Sequence, residues 1–186
     1  MDKRISTILF AVMAVLFIVA CGDGKKRGNG KQSVATTEES KGDTTVYGVC
    51  GVNTAMHNLE LVTVQGDTLN YLFDVDDESA VKGGLLAGDR LAVVGYKNAD
   101  GEYEANQVLN LTTLMGKWRS LAKQFELMED GTVLSAVKEE AHPWTSWKVF
   151  NGQLVLNKDT FTVNALGGDS LYLENAHGIF TFTRQK

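Results

Sequence analysis

From Thr45 to the end of the chain, apolar and polar residues alternate with a period of two, in runs of five to eight broken by Gly, Asn and Asp. One proline, Pro143, interrupts this stretch. Such alternation places every second side chain on one face of a strand. Short, evenly spaced strands bounded by turn residues predict an all-β chain of barrels or sandwiches. Five strands are predicted first, over Thr45–Asn53, Asn58–Gln65, Thr68–Val75, Arg90–Lys97 and Glu102–Leu111. Gly66-Asp67 and Ala99-Asp100-Gly101 are hairpin signals within them. Between the third and fourth strands, "DDESAVKGGLLAGD" predicts one or two helical turns over Asp76 to Lys82, stopped by Gly83-Gly84. Eight further strands are predicted over 116–122, 124–128, 132–137, 145–150, 153–157, 160–165, 170–175 and 179–185. Asp130-Gly131 and Asn151-Gly152 are their strongest turns, with Lys158-Asp159, Gly167-Gly168 and His177-Gly178 marking others. Eight strands in meander order are what an up-and-down barrel needs to remove its edges. The predicted fold class is therefore all-β, with two small antiparallel barrels, five-stranded over 45–113 and eight-stranded over 114–186.

Before Thr45 the pattern changes. Residues 22–44 hold one large apolar residue, Val34, among Gly, Ser, Lys and Thr, too little to offset chain entropy by burial. Residues 21–44 read as a flexible tether, reaching roughly 25 Å at about 5–6 Å times the square root of its length. Ahead of it, Met-Asp-Lys-Arg and an apolar run from Ile5 to Ala20 have the form of a secretory signal peptide over residues 1–20. The run is short for a bilayer span. Ile18-Val19-Ala20-Cys21 resembles the lipobox of bacterial lipoproteins. That resemblance implies cleavage before Cys21 and its acylation with chains such as palmitate, since stable anchoring takes more than one chain. An ordinary signal peptide followed by a chance cysteine is the other reading. Gly22 follows Cys21 where the inner-membrane retention rule of enteric lipoproteins requires Asp. The resemblance thus implies an outer-membrane anchor facing the periplasm, with surface exposure open. Lys25, Lys26 and Arg27 lie where anionic headgroups would meet them, and read equally well as part of a solvated tether.

The β-β-β-α-β-β order of 45–113, with "GDRLAVVG" at its fourth strand, resembles the OB fold. Gly116-Lys117-Trp118 at the first strand of the second segment, with Arg184 at the end of the last, resembles the lipocalin pair. In that family the arginine lies across the tryptophan and closes the barrel base, where a guanidinium on an indole face gains cation–π energy and covers an apolar end. As a whole, 114–186 is similar to the short lipocalin-like domains of lipoproteins from gut Gram-negative bacteria. It departs from full lipocalins in having about half their length and no Thr-Asp-Tyr motif. The alternation collects Trp118, Phe125, Leu127, Trp147, Val149, Leu154, Leu156, Phe161, Val163, Leu171, Leu173, Phe180 and Phe182 on one face. Strands this short and residues this large predict a packed interior with at most a shallow pocket at one mouth. "KEEAHPWTSW", residues 138–147, is the longest connection, and His142, Pro143 and Trp144 make a candidate lid or ligand contact. A Trp that caps the barrel end for stability is the competing reading.

Charge and chemistry narrow the function. The 186 residues carry a formal net charge of −5. Between Val46 and Thr113, ten carboxylates against three cations leave the OB-like segment seven charges negative, which repels phosphate and disfavours nucleic acid. Tyr71 and Phe73 share parity with Leu69 and Val75 and read as core. Cys50, alone once Cys21 is acylated, has no disulfide partner and reads as a small buried apolar residue. Asp74 to Glu78, "DVDDE", lacks the Gly and Glu of a calcium loop at the sixth and twelfth positions, so neither metal nor cofactor is expected. His57, His142 and His177 have no nucleophile or carboxylate at a catalytic spacing, and no hydrolase or zinc motif occurs. The chain is expected not to be an enzyme. These readings predict a lipid-anchored envelope protein that binds or scaffolds without catalysis, with a small apolar ligand or lipid as its candidate ligand. The alternative is a protein-interaction or envelope-stress module, by analogy with an envelope-stress lipoprotein that joins the same two barrel types in the opposite order.

Overall fold

A computed structural model describes residues 42–73, 79–136 and 140–186. The predicted signal peptide, Cys21, the tether up to residue 41 and the acidic run Asp74–Glu78 lie outside the described residues. The two barrels belong to one compact unit, Ser40–Lys186.

The first barrel is built from β1 (Val46–Cys50), β2 (Asn58–Thr63), β3 (Thr68–Leu72), β4 (Val81–Lys82), β5 (Arg90–Lys97) and β6 (Tyr103–Asn110). The sheet runs β3-β2-β1-β5-β6-β4, and a parallel pairing of β3 with β6 at Tyr71↔Tyr103 closes five of these strands into a ring. With β4 also parallel to β6, the sheet is mixed where antiparallel pairing throughout was expected. Inward alternation buries Cys50, Leu59, Leu61, Tyr71, Leu91, Val93 and Val108 together, with Leu69 and Phe73 packed against them. Cys50, 2% exposed, is part of that core. The helical turns expected up to Lys82 are corrected at their end. Val81–Lys82 is a strand parallel to β6, pinned by Val108 N donating to Ala80 O at 2.7 Å. Pairing with β6 and packing of Val81 on the core outweigh the weak local preference of so short a stretch.

The predicted fifth strand stops one residue early. Asn110 instead caps α1 (Leu111–Leu114), its side-chain oxygen accepting from Thr113 N at 2.9 Å. Eight antiparallel strands follow: β7 (Gly116–Arg119), β8 (Gln124–Leu127), β9 (Val133–Ser135), β10 (Trp147–Phe150), β11 (Gln153–Leu156), β12 (Asp159–Leu166), β13 (Ser170–Asn175) and β14 (Gly178–Arg184). Their order, β10-β11-β12-β13-β14-β7-β8-β9, is a meander whose ends meet at a bridge between Thr132 and Ser146, a nearly closed barrel. Eleven of the thirteen residues expected on the inner face are buried, and Trp147 and Phe180 are half-buried against them.

The barrels share a core rather than meeting across a linker. Ala92 and Leu109 of the first, with Leu111 and Leu114 of α1, belong to the same apolar cluster as Trp118. Polar contacts ring this junction. Tyr47 donates to Val149 O at 2.9 Å, Gln107 to Gly152 O at 2.9 Å, and Thr44 N to the Asn151 side chain at 2.8 Å. An ion pair joins Arg90 to Glu129. The first barrel thus covers the end of the second that carries the Asn151-Gly152 turn. The expected boundary at 113/114 falls inside α1, whose apolar residues are buried in that shared core.

Candidate functional site

At the covered end, Arg184 lies with its guanidinium carbon 4.1 Å from the centre of the Trp118 ring. The guanidinium donates to Met115 O at 2.9 Å and to the carbonyls of Thr113 and Gly168. Trp118 is fully buried, and its indole N–H donates to Leu114 O at 2.8 Å. The carbonyls at the end of a four-residue helix have no intrahelical partner, and here a cation and an indole N–H satisfy them. Gly116 has φ +110°, and a Cβ there would sit 2.8 Å from Arg184 Nη1. The Gly-x-Trp spacing therefore leaves room for the arginine that lies on the tryptophan. Burial lowers the affinity of this guanidinium for its proton, and Asp169 opposes the effect.

The interior is filled. Trp144 is only 7% exposed and packs edge-to-face on Phe125, Phe161 and Phe182, at centroid distances of 5.1, 5.7 and 6.2 Å. Asn157, at φ +56°, holds this segment down. Its Oδ1 accepts from Thr145 N at 2.8 Å and Ser146 N at 3.2 Å, and its Nδ2 donates to Pro143 O at 3.1 Å. His142 is exposed and offers only its carbonyl, to Lys123 at 3.3 Å. Of the candidate lid residues, His142 therefore faces solvent and Trp144 faces the interior, and Lys123 contacts both. Over Trp144 sits Lys123 Nζ, 4.3 Å from the ring centre, paired with Glu140, which accepts from Ser135 Oγ at 2.6 Å. Burial pushes the Glu140 carboxyl up, but the hydrogen bonds from Lys123 and Ser135, with the lysine charge, outweigh it and hold the group below its ordinary range.

Next to this cluster, a groove of about 770 Å³ opens between the β7–β8 turn and the β13–β14 hairpin. Leu121, Phe180 and Phe182 give it an apolar lining, and Arg119 and Lys123 supply its cations. Its cause is a mismatch of strand lengths. β14 pairs with β13 from Gly178 to Thr183, but with β7 only at Thr183↔Arg119 and Arg184↔Trp118. After Arg119 the chain turns away, with Ser120 N donating to Lys123 O at 2.7 Å. Arg184 N donates toward β13, to Asp169 O, while Gln185 N donates toward β7, to Lys117 O. Backbone groups alternate sides along a strand, so Thr181 and Ile179 aim theirs into the groove. No backbone partner faces them among the described residues. Leu121 at the turn is wholly exposed, and Ile179 and Tyr172 are exposed on the outer face of the hairpin.

Sequence reasoning missed Leu121, the Lys123–Glu140 pair, the Asn157 clamp and the edge of β14. The residues themselves carry no motif; the edge arises because β14 outlasts β7, and the other contacts join turns and loops that are not neighbours in the chain. Among the described residues, no three His, Cys, Asp or Glu side chains converge as metal ligands do. No family profile, curated protein or solved structure matches this chain.

Proposed function

We propose that this chain is a lipid-anchored cell-envelope protein that binds without catalysis, and that it takes a protein partner on its surface. The observation carrying this reading is the position of Trp144, which with Phe125, Phe161 and Phe182 occupies the space a carrier would keep for its ligand. A filled core beside an unpaired strand edge is the signature of an interaction module. A second reading, binding of a small apolar molecule or lipid, rests on the groove beside Leu121 and Phe180, whose volume lies in the range of ligand pockets. In this reading the anchor is Cys21, following Ile18-Val19-Ala20. Gly22 stands where inner-membrane retention requires Asp, which leaves the anchor in the outer membrane facing the periplasm, with surface exposure open.

Two experiments test this. Native mass spectrometry of the full chain, offered fatty acids and phospholipids, is expected to show it empty. A bound mass of a few hundred daltons would replace the protein-partner reading with the carrier reading. Cys21→Ser is expected to appear as unprocessed or soluble protein, and a variant still recovered as processed, acylated membrane protein would overturn the anchor.

A further inference from the structure

We propose that the free edge of β14 takes an extended segment of the partner protein as an added strand, and that this segment alternates apolar residues with carboxylates. The inference rests on the reading that the partner is a protein, and it adds where and how the partner binds. Had β7 continued straight, its next four residues would have lain opposite Phe182, Thr181, Phe180 and Ile179. That slot is open because the chain turns at Ser120. Four residues at about 3.3 Å each give it a length of about 13 Å. A strand laid there would pair with the N–H and C=O of Thr181 and Ile179, the groups that face the groove.

The slot also sets the pattern of the segment. Positions opposite Phe180 and Phe182 share the inner face with those rings at the barrel mouth, so they call for apolar side chains. The position opposite Thr181 lies next to Arg119 on the outer face, and Arg119 has no ion-pair partner among the described residues. The position opposite Ile179 shares that face with Glu174, which accepts from Asn164. Lys123, the other cation of the groove, is held by Glu140. No carboxylate lines the groove, so an outward carboxylate on the incoming strand is the complement it lacks. Charge argues against a second copy of this chain, because pairing β14 with another β14 would bring a second Arg119 to the same groove.

The test uses the full chain and an end-blocked eight-residue peptide alternating valine and glutamate. With valines inward, the glutamate N–H groups face β14 and the valine N–H groups face away. N-methylating the glutamates is expected to abolish binding, and N-methylating the valines to leave it within about threefold. Hydrogen exchange at Ile179 and Thr181 is expected to slow on binding. Arg119→Glu, on an exposed side chain, is expected to weaken binding at least tenfold at low salt, as is replacing the peptide glutamates with lysine. Thr181→Pro removes an N–H outside the β13 ladder, in the position where edge strands accept proline, and is expected to abolish binding. If that variant does not fold, Arg119→Glu and the N-methyl pair still decide. No binding of the parent peptide at millimolar concentration, or equal binding of the glutamate-N-methylated peptide, would overturn the added strand. If the chain then cross-links to an envelope protein through other residues, the protein-partner reading stands and only the edge is wrong. Myristate filling the groove, with no protein cross-linked, would remove both.

Discussion

Replacing Trp144 with alanine tests whether the barrel interior is full. The indole packs edge-to-face on three phenylalanines and lies under Lys123 Nζ at 4.3 Å. Truncating a buried tryptophan costs about 3–5 kcal/mol, depending on how far the site can collapse. Phe125, Phe161 and Phe182 sit on strands tied into ladders, and Asn157 pins the segment from Pro143 to Ser146. Both restrict collapse, so we place the loss at about 4 kcal/mol, a large share of the 5–15 kcal/mol typical of a domain. At about 3 °C per kcal/mol for a unit of this size, the melting temperature falls by about 12 °C. The vacated space is apolar and of indole size. Indole at ten times its dissociation constant should return about 1.4 kcal/mol, or about 4 °C, to the variant and nothing to the wild type. Differential scanning fluorimetry with and without indole measures both numbers. A fall of less than about 3 °C, or equal stabilisation of wild type and variant by indole, would show that Trp144 does not fill the barrel.

Other substitutions probe the junction and the cluster beneath the groove. Arg184→Met removes a cation donating to three carbonyls and stacked on Trp118, and should cost about 3 kcal/mol in urea unfolding; Arg184→Lys should cost about 2, because an ammonium cannot fork. Equal stability of Arg184→Met and wild type would refute the closing role. Asn110 is fully buried and joins Gly84 O at 3.0 Å, the Asp89 carboxylate at 2.7 Å and Thr113 N. Asn110→Ala should lose about 2–3 kcal/mol, and a loss under about 0.5 kcal/mol would mean these bonds add nothing to the junction. The Glu140 carboxyl is depressed in the folded state, so its contribution is present above the ordinary carboxylate range and fades as pH falls through the folded value. Wild type should therefore melt above Glu140→Gln near neutral pH, and the gap should close on acidification. A gap independent of pH would refute the pairing.

Much of the fold was legible because burial on a sheet follows a period of two, which local sequence records directly. The inner face from Trp118 to Phe182 was readable strand by strand, as were the turns at Asp130-Gly131 and Asn151-Gly152. Position 81 failed for the opposite reason. Val81 is held in a strand by β6, more than twenty residues away, and nothing in its neighbours announces that pairing. Trp144 was ambiguous in the same way. Its parity is opposite to that of Trp147, and contacts with distant segments hold it inward: packing on Phe125, Phe161 and Phe182, and the hydrogen bonds that join Asn157 to Pro143, Thr145 and Ser146.

By itself, then, the amino-acid sequence determined the all-β class, the eight strands of the second barrel with the side chains they bury, and five of the six strands of the first, because alternation and turn chemistry act over a few residues. Tertiary structure alone decided three things. It joined the barrels through a shared core at α1, filled the second barrel with Trp144, and left β14 longer than the strand beside it. Each depends on the relative lengths and placement of segments far apart in the chain, which local alternation does not record.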